Sequence, residues 1–341
     1  MANSTGPGEH EALYWEKSAH GVRCNLCPHR CLIVEGRSGR CLGRTNRGGR
    51  LFADSYGRAV SLAVDPVEKK PLYHFLPGTE ILSVATYGCN LACPFCQNSE
   101  ISQSAAPSRY LSPEALVSAA RERSIPSVAF TYSEPLVWFE YVLDAARLLR
   151  AAGARVVLVT NGMVNAEPLA ELLPLVDAMN IDLKAMRPGF YRDYVGGELA
   201  TVLATIRAAR PRCHVELTNL LIPGRNDSDD DIDRLVDFVC ETGENTPLHF
   251  SRYFPRFRAT EPATPAESLL RAAERASLRL HYVYLGNLDR GSRFRDTVCP
   301  SCGSVLVDRA GYSGRVVGVA AGACSNCGRR ADLVLGTGDR P

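Results

Sequence analysis

The sequence predicts an α/β fold: a largely parallel sheet with helical crossovers, flanked by two small cysteine-rich modules. Three observations carry this reading. Short apolar strand-like runs alternate with helix-like segments from about Glu80 to Tyr284. The thirteen cysteines fall mainly into three clusters. The flanks lack that alternation and carry cysteines, glycines and arginines instead. With 341 residues, 45% of them hydrophobic, the chain has enough apolar mass for one large domain and one or two small ones.

Taken in order, residues 1–18 read as a polar tail with a short helix around Glu11–Lys17. Cys24 to Gly78 reads as a metal-stapled module. Strands are expected at Ile81–Tyr87, Ser127–Thr131, Arg155–Thr160, Ala178–Leu183, His214–Ile222, Leu248–Phe254 and Leu280–Tyr284. Each is short and apolar in long stretches, as for strands buried on both faces. Helices are expected at Ser112–Glu122, Val137–Ala152, Ala166–Leu175, Arg192–Ala209, Ser228–Glu241 and Ala266–Ala276. Such alternation implies right-handed βαβ units, in either a barrel or a doubly wound sheet. The expected domains are 1–78, 79–290 and 291–341.

Charge is balanced, 39 basic against 37 acidic residues, which argues against nucleic acid or an anionic membrane as partner. The first twenty residues lack an apolar h-region, and no run approaches the ~20 apolar residues of a membrane span. A cytoplasmic protein is expected. In that reducing compartment, clustered thiols point to metal rather than to disulfides.

The segment Cys89-Asn-Leu-Ala-Cys93-Pro-Phe-Cys96 directly follows the first expected parallel strand. Three thiolates are an incomplete tetrahedral zinc set, but they suit three irons of a 4Fe–4S cluster whose fourth iron stays free. A zinc site borrowing a distant histidine is the alternative. A deaminase-type zinc site is disfavoured, since no His-x-Glu precedes the cysteines.

Cys24, Cys27, Cys31 and Cys41 supply four thiolates within eighteen residues, fit for zinc or an auxiliary iron–sulfur cluster. His29 reads as a surface histidine. Cys299-Pro-Ser-Cys302-Gly and Cys324-Ser-Asn-Cys327-Gly are paired knuckles of zinc-ribbon type, with zinc expected. Cys213 and Cys240 read as core thiols. His249, Arg252 and Tyr253 end the sixth expected strand, and Lys69, Lys70 and His74 precede the first. Both groups are within reach of a site at the strand ends. Arg256 and Arg258 read as surface charge.

The Cys89–Cys96 pattern resembles the signature of radical S-adenosylmethionine (SAM) enzymes. That resemblance implies an incomplete (β/α)6-type barrel, a 4Fe–4S cluster on Cys89, Cys93 and Cys96, and SAM chelated by the open iron. It places Phe95 near the adenine and Glu134 near the SAM amino group. Thr160, Asn161, Asp182, Lys184 and Ile222 become further SAM-pocket residues. Only Glu134-Pro135 survives of the family's Gly-Gly-Glu segment.

Cys24-Asn-Leu-Cys27-Pro-His-Arg-Cys31, Ser61 to Gly78 and Leu221-Ile-Pro-Gly-Arg-Asn-Asp-Ser228 resemble the AmmeMemoRadiSam system radical SAM enzyme, a family related to pyruvate formate-lyase activating enzyme. It implies association with Memo-like and AMMECR-like proteins. A one-electron reductant such as flavodoxin or ferredoxin is expected, acting with a small-molecule or protein substrate. The expected reaction is reductive SAM cleavage and hydrogen abstraction by the 5′-deoxyadenosyl radical. Sulfur transfer from an auxiliary cluster, glycyl-radical activation and a non-enzymatic metal scaffold are the rivals.

Overall fold

The computed structural model describes residues 10–288 and 292–336. Its centre is an eight-stranded sheet in sequential order: β1 (Ser61–Pro66), β2 (Glu80–Ala85), β3 (Ser127–Phe130), β4 (Arg155–Thr160), β5 (Ala178–Asp182), β6 (His214–Leu221), β7 (Leu248–Arg252) and β8 (Val283–Gly286). From β2 to β8 every pairing is parallel, while β1 runs antiparallel to β2. Six helices make the crossovers: α1 (Pro113–Glu122), α2 (Phe139–Ala151), α3 (Ala166–Leu172), α4 (Leu199–Ala209), α5 (Asp229–Thr242) and α6 (Ala266–Ser277). Six consecutive βα units in an open parallel sheet are the expected incomplete (β/α)6-type architecture.

Helix boundaries follow local chemistry. Ser112 caps α1 by accepting from the Ala115 N–H (3.2 Å), with Pro113 in the first turn. Ser228 caps α5 in the same way, ahead of three aspartates that complement the helix dipole. The helix expected over Arg192–Ala209 is broken. A π-helical turn over Phe190–Val195 ends at Gly196 (φ +69°) in the left-handed region, and α4 starts only at Leu199.

Two further expectations are corrected. The segment Glu11–Lys17 does not form a helix: Trp15–Ser18 is a strand paired antiparallel with Gly21–Cys24 across a two-residue turn. The hairpin partner overrides the helix propensity of Glu and Lys. The boundary expected at residue 78 also shifts, because Ser61–Pro66 already belongs to the main sheet. The boundary expected at 290 lies outside the described residues.

The C-terminal module is a three-stranded sheet (Thr297–Val298, Val305–Ala310, Ser313–Val316) followed by a small hairpin. It is bolted to the barrel by buried polar groups. Arg309, 1% exposed, donates to the Tyr73 carbonyl (2.6 Å) and lies over the Tyr73 ring. His74 bridges the Asp332 carbonyl and the Tyr284 hydroxyl, each at 2.6 Å. His74 is therefore a docking residue rather than part of the barrel mouth.

Burial pushes the His74 pKa down to about 4. A histidine held neutral in the fold gives stability that is fully present above the unfolded value near 6.5 and is lost as pH falls toward 4. The 2.5-unit gap corresponds to about 3 kcal/mol. Urea unfolding followed from pH 7 to pH 4 should show a smaller loss of stability for His74→Gln than for the parent chain, the difference being the His74 contribution.

Candidate active site

The strand ends and the loops behind them enclose one cavity of about 780 Å³. Cys89, Cys93 and Cys96 line it, on the loop that leaves β2. The loop is locked by neighbours: Leu91 N–H and Asn161 Nδ2 donate to Cys89 Sγ (3.4 and 3.5 Å), and Cys96 Sγ lies 3.2 Å from Ser102 Oγ. Burial raises the Cys89 thiol pKa well above its ordinary value, and pushes that of Cys93 up to about 11. Both stay protonated until a metal displaces the protons.

Glu134 follows β3 and is 2% exposed. Its carboxylate accepts from Thr160 Oγ1 (2.6 Å), Asn161 N–H (2.8 Å) and Leu136 N–H (2.9 Å), which ties the ends of β3 and β4 together. Burial nonetheless pushes its pKa up to about 7. Beyond β5, Lys184 Nζ donates to Asp182 (2.8 Å) and stands 5.9 Å from the centroid of the Phe95 ring. Burial alone would lower the Lys184 pKa, but Asp182 and the Cys93 sulfur raise it, so Lys184 stays charged.

Phe95, Glu134, Thr160, Asn161, Asp182 and Lys184 thus share one cavity with the three cysteines. Ile222 does not line it. Ile222 is fully buried, with its N–H held by Asn226 Oδ1 (2.7 Å), and Asn226 in turn donates to the Lys184 carbonyl (2.7 Å). The Ile-Pro-Gly-Arg-Asn segment therefore fixes the backbone that carries Lys184. Lys69, Lys70 and His249 also line the cavity, whereas Arg252, Arg256 and Arg258 do not.

Sequence reasoning placed Lys70 and His249 near the strand ends but missed Tyr132 in the cavity wall and the buried carboxylates that hold these groups. Lys70, 2% exposed, donates to Asp65 (2.6 Å), and the Tyr132 hydroxyl donates to the same carboxylate. Tyr132 adopts φ +67°, a costly conformation for a non-glycine residue. His249 Nε2 meets Glu216 at 2.6 Å, and His214 meets it at 3.0 Å. These groups lie far apart in the chain, and no local motif announces them.

Among the described residues, only Cys299, Cys302, Cys324 and Cys327 bring their ligand atoms within 4.8 Å of one another. Two of their sulfur pairs stand at 3.6 Å, close to the ~3.8 Å edge of a zinc tetrahedron with ~2.3 Å bonds. The Cys89, Cys93 and Cys96 sulfurs do not all come within 4.8 Å of one another.

A parallel barrel with three cysteines at the end of its first parallel strand defines a radical SAM protein. The sequence agrees: the family described as the radical SAM superfamily matches residues 83–239, a little under half of the chain. More particularly, an uncharacterized protein of Methanocaldococcus jannaschii is 42% identical over 335 residues, spanning 95% of this chain and 99% of that protein. The two are members of one family. The benzylsuccinate synthase activating enzyme of Thauera aromatica is 26% identical over 195 residues, 54% of this chain and 57% of that enzyme. Among solved structures, Streptococcus suis SuiB shares the fold with a TM-score of 0.50 at 15% identity, over 67% of this chain and 52% of that one. The superfamily's cofactors are a 4Fe–4S cluster and SAM, and the donor set just described fits both. No helix among the described residues is long and apolar enough to cross a membrane.

Proposed function

We propose that this chain is a radical SAM enzyme that holds a 4Fe–4S cluster on Cys89, Cys93 and Cys96 and acts on a small-molecule or protein substrate. The observation that carries the reading is the single cavity gathering three cysteines, an aromatic ring and a set of oriented polar groups. When bound, the cluster supplies the electron that cleaves SAM to methionine and the hydrogen-abstracting 5′-deoxyadenosyl radical.

The chain's own residues bind and orient. Cys89, Cys93 and Cys96 are the metal ligands. Glu134 holds the Thr160 hydroxyl and the Asn161 backbone in place, and presents its carboxylate toward an ammonium group. Lys184, charged and partly neutralised by Asp182, offers a cation to a carboxylate. Phe95 supplies an apolar face for a purine ring. Anaerobically reconstituted protein with dithionite should convert SAM to 5′-deoxyadenosine and methionine. A cluster-loaded protein that leaves SAM intact would remove this reading.

The similarity to a benzylsuccinate synthase activating enzyme supports a second reading, in which the substrate is a glycyl-radical partner protein. Sulfur transfer has less support, because none of the eight quartet cysteines lines the cavity. Memo-like and AMMECR-like partners belong to the finer family assignment, and co-purification at native levels tests that association.

For the C-terminal quartet we infer one structural zinc, given the tetrahedral spacing of its sulfurs. Cys302→Ser combined with Cys327→Ser should lower bound zinc by about one per chain, the stoichiometry of a closed four-thiolate site. It should also loosen the module around His74 and Arg309, read as faster proteolysis within 292–336. Unchanged zinc would contradict the assignment.

A further inference from the structure

The N-terminal quartet differs from the C-terminal one in ways that identify its occupant. No three of Cys24, Cys27, Cys31 and Cys41 approach within the 4.8 Å that the ribbon sulfurs satisfy. All four face one small cavity of about 20 Å³, whose other walls include the apolar side chains of Leu26, Ile33 and Val137. A closed zinc tetrahedron draws its sulfurs closer than this, since they nearly touch around the ion. A cubane with one iron per thiolate needs the wider spacing.

The surroundings suit a negatively charged inorganic core. Arg44 Nη1 points at Cys24 Sγ (3.6 Å). His29 and Asn90 wall the same small cavity as the four cysteines. N–H donors to sulfur tune iron–sulfur potentials. His29 Nε2 is engaged with the Asn90 carbonyl (2.7 Å).

The same residues connect this site to the radical site. Asn90 lines the quartet cavity together with Cys27; its Oδ1 accepts from Asn161 Nδ2 (2.9 Å), which also donates to Cys89 Sγ. Backbone meets backbone as well. Gly88, adjacent to Cys89 and at φ +92°, lies so close to the Cys41 carbonyl that a Cβ there would sit 2.1 Å from the oxygen. Only glycine allows that approach. Asn90, 1% exposed, walls the small cavity and is absent from the lining of the large one, and no quartet cysteine lines the large cavity. The site touches the radical centre through bonds but does not open onto the substrate.

We propose that Cys24, Cys27, Cys31 and Cys41 hold an auxiliary four-iron, four-sulfur cluster that relays electrons to the radical cluster through Asn90 and Asn161. The relay rests on the radical SAM reading; the cluster assignment does not. A low-potential one-electron carrier of the flavodoxin or ferredoxin class reduces the auxiliary cluster from the 2+ to the 1+ state. That cluster returns to 2+ as the radical cluster goes from 2+ to 1+. One electron enters, one leaves, and no proton or bond change is required. The cluster keeps all its sulfide, in contrast to a sulfur donor.

The first test uses the full-length Cys89→Ala/Cys93→Ala/Cys96→Ala variant, reconstituted anaerobically with ferrous iron and sulfide. About four irons and four sulfides per chain are expected, the content of one such cluster, with a paramagnetic signal on reduction. A second zinc in place of iron overturns the assignment, whatever happens to SAM cleavage. The second test uses Cys31→Ala, with the triplet cluster loaded and verified by iron content. Reduction of that cluster by reduced flavodoxin should slow by an order of magnitude or more. An unchanged rate overturns the relay. Should Cys31→Ala fail to fold, Asn90→Leu breaks the same bridge with both ligand sets intact and is read in the same way.

Discussion

Replacing Cys89, Cys93 and Cys96 together by Ala should abolish 5′-deoxyadenosine formation while leaving the fold in place. The loop's backbone is held by contacts that do not use the sulfurs, among them Ala92 N–H to the Val195 carbonyl (2.8 Å) and Asn90 Nδ2 to the Met163 carbonyl (2.7 Å). Each change removes a single sulfur atom, and Cys89 and Cys96 are only half-buried by their exposed surface, so the lost packing is small. Product analysis after incubation with SAM and dithionite gives the activity. Far-ultraviolet circular dichroism and the thermal midpoint report the fold. Residual cleavage in a folded triple variant would mean that the cluster sits on other cysteines.

Glu140→Ala should produce the largest stability loss. Glu140 on α2 pairs with Arg44 of the N-terminal module, and both are nearly inaccessible, 2% and 1% exposed. The same carboxylate accepts the Leu13 N–H (2.8 Å), while Arg44 also donates to the Leu13 carbonyl (2.7 Å). Truncation strands a buried guanidinium beside Cys24, at a cost of about 3–5 kcal/mol. Pairing it with Arg44→Met should recover part of that loss, because the unpaired charge is then removed as well. Denaturant titration of the single and double variants measures both. A single-variant loss under about 1 kcal/mol would show that water reaches the pair.

Much of the barrel was legible because its strands are buried on both faces and so appear as continuous apolar runs, as in Val156, Val157 and Leu158 of β4. The edge strand β1 was not. Leu62 and Val64, its two large apolar residues, point outward and are each 42% exposed, whereas Asp65 is buried. Its pattern is thus inverted relative to a strand facing a core. The hairpin at Trp15–Ser18 was hidden for a different reason: four residues carry too little periodicity to compete with helix formers.

The site divides along similar lines. The cysteine triplet is one short motif, so its spacing carried the chemistry, whereas Glu134-Pro135 was legible through the family resemblance. The Lys70–Asp65–Tyr132 group spans sixty-seven residues, from Asp65 to Tyr132, and depends on β1 joining the sheet, so no local pattern revealed it. The Ile222 segment was legible as a motif but not in its role, because its effect on Lys184 passes through Asn226.

The most direct test of the central claim is electron paramagnetic resonance of the reduced, anaerobically reconstituted protein with and without SAM. The spectral component lost in the Cys89/Cys93/Cys96 triple-Ala variant should shift when SAM is added, as expected when a ligand enters the coordination sphere of an iron left open by three thiolates. A triplet-dependent signal that SAM leaves unmoved would contradict the account.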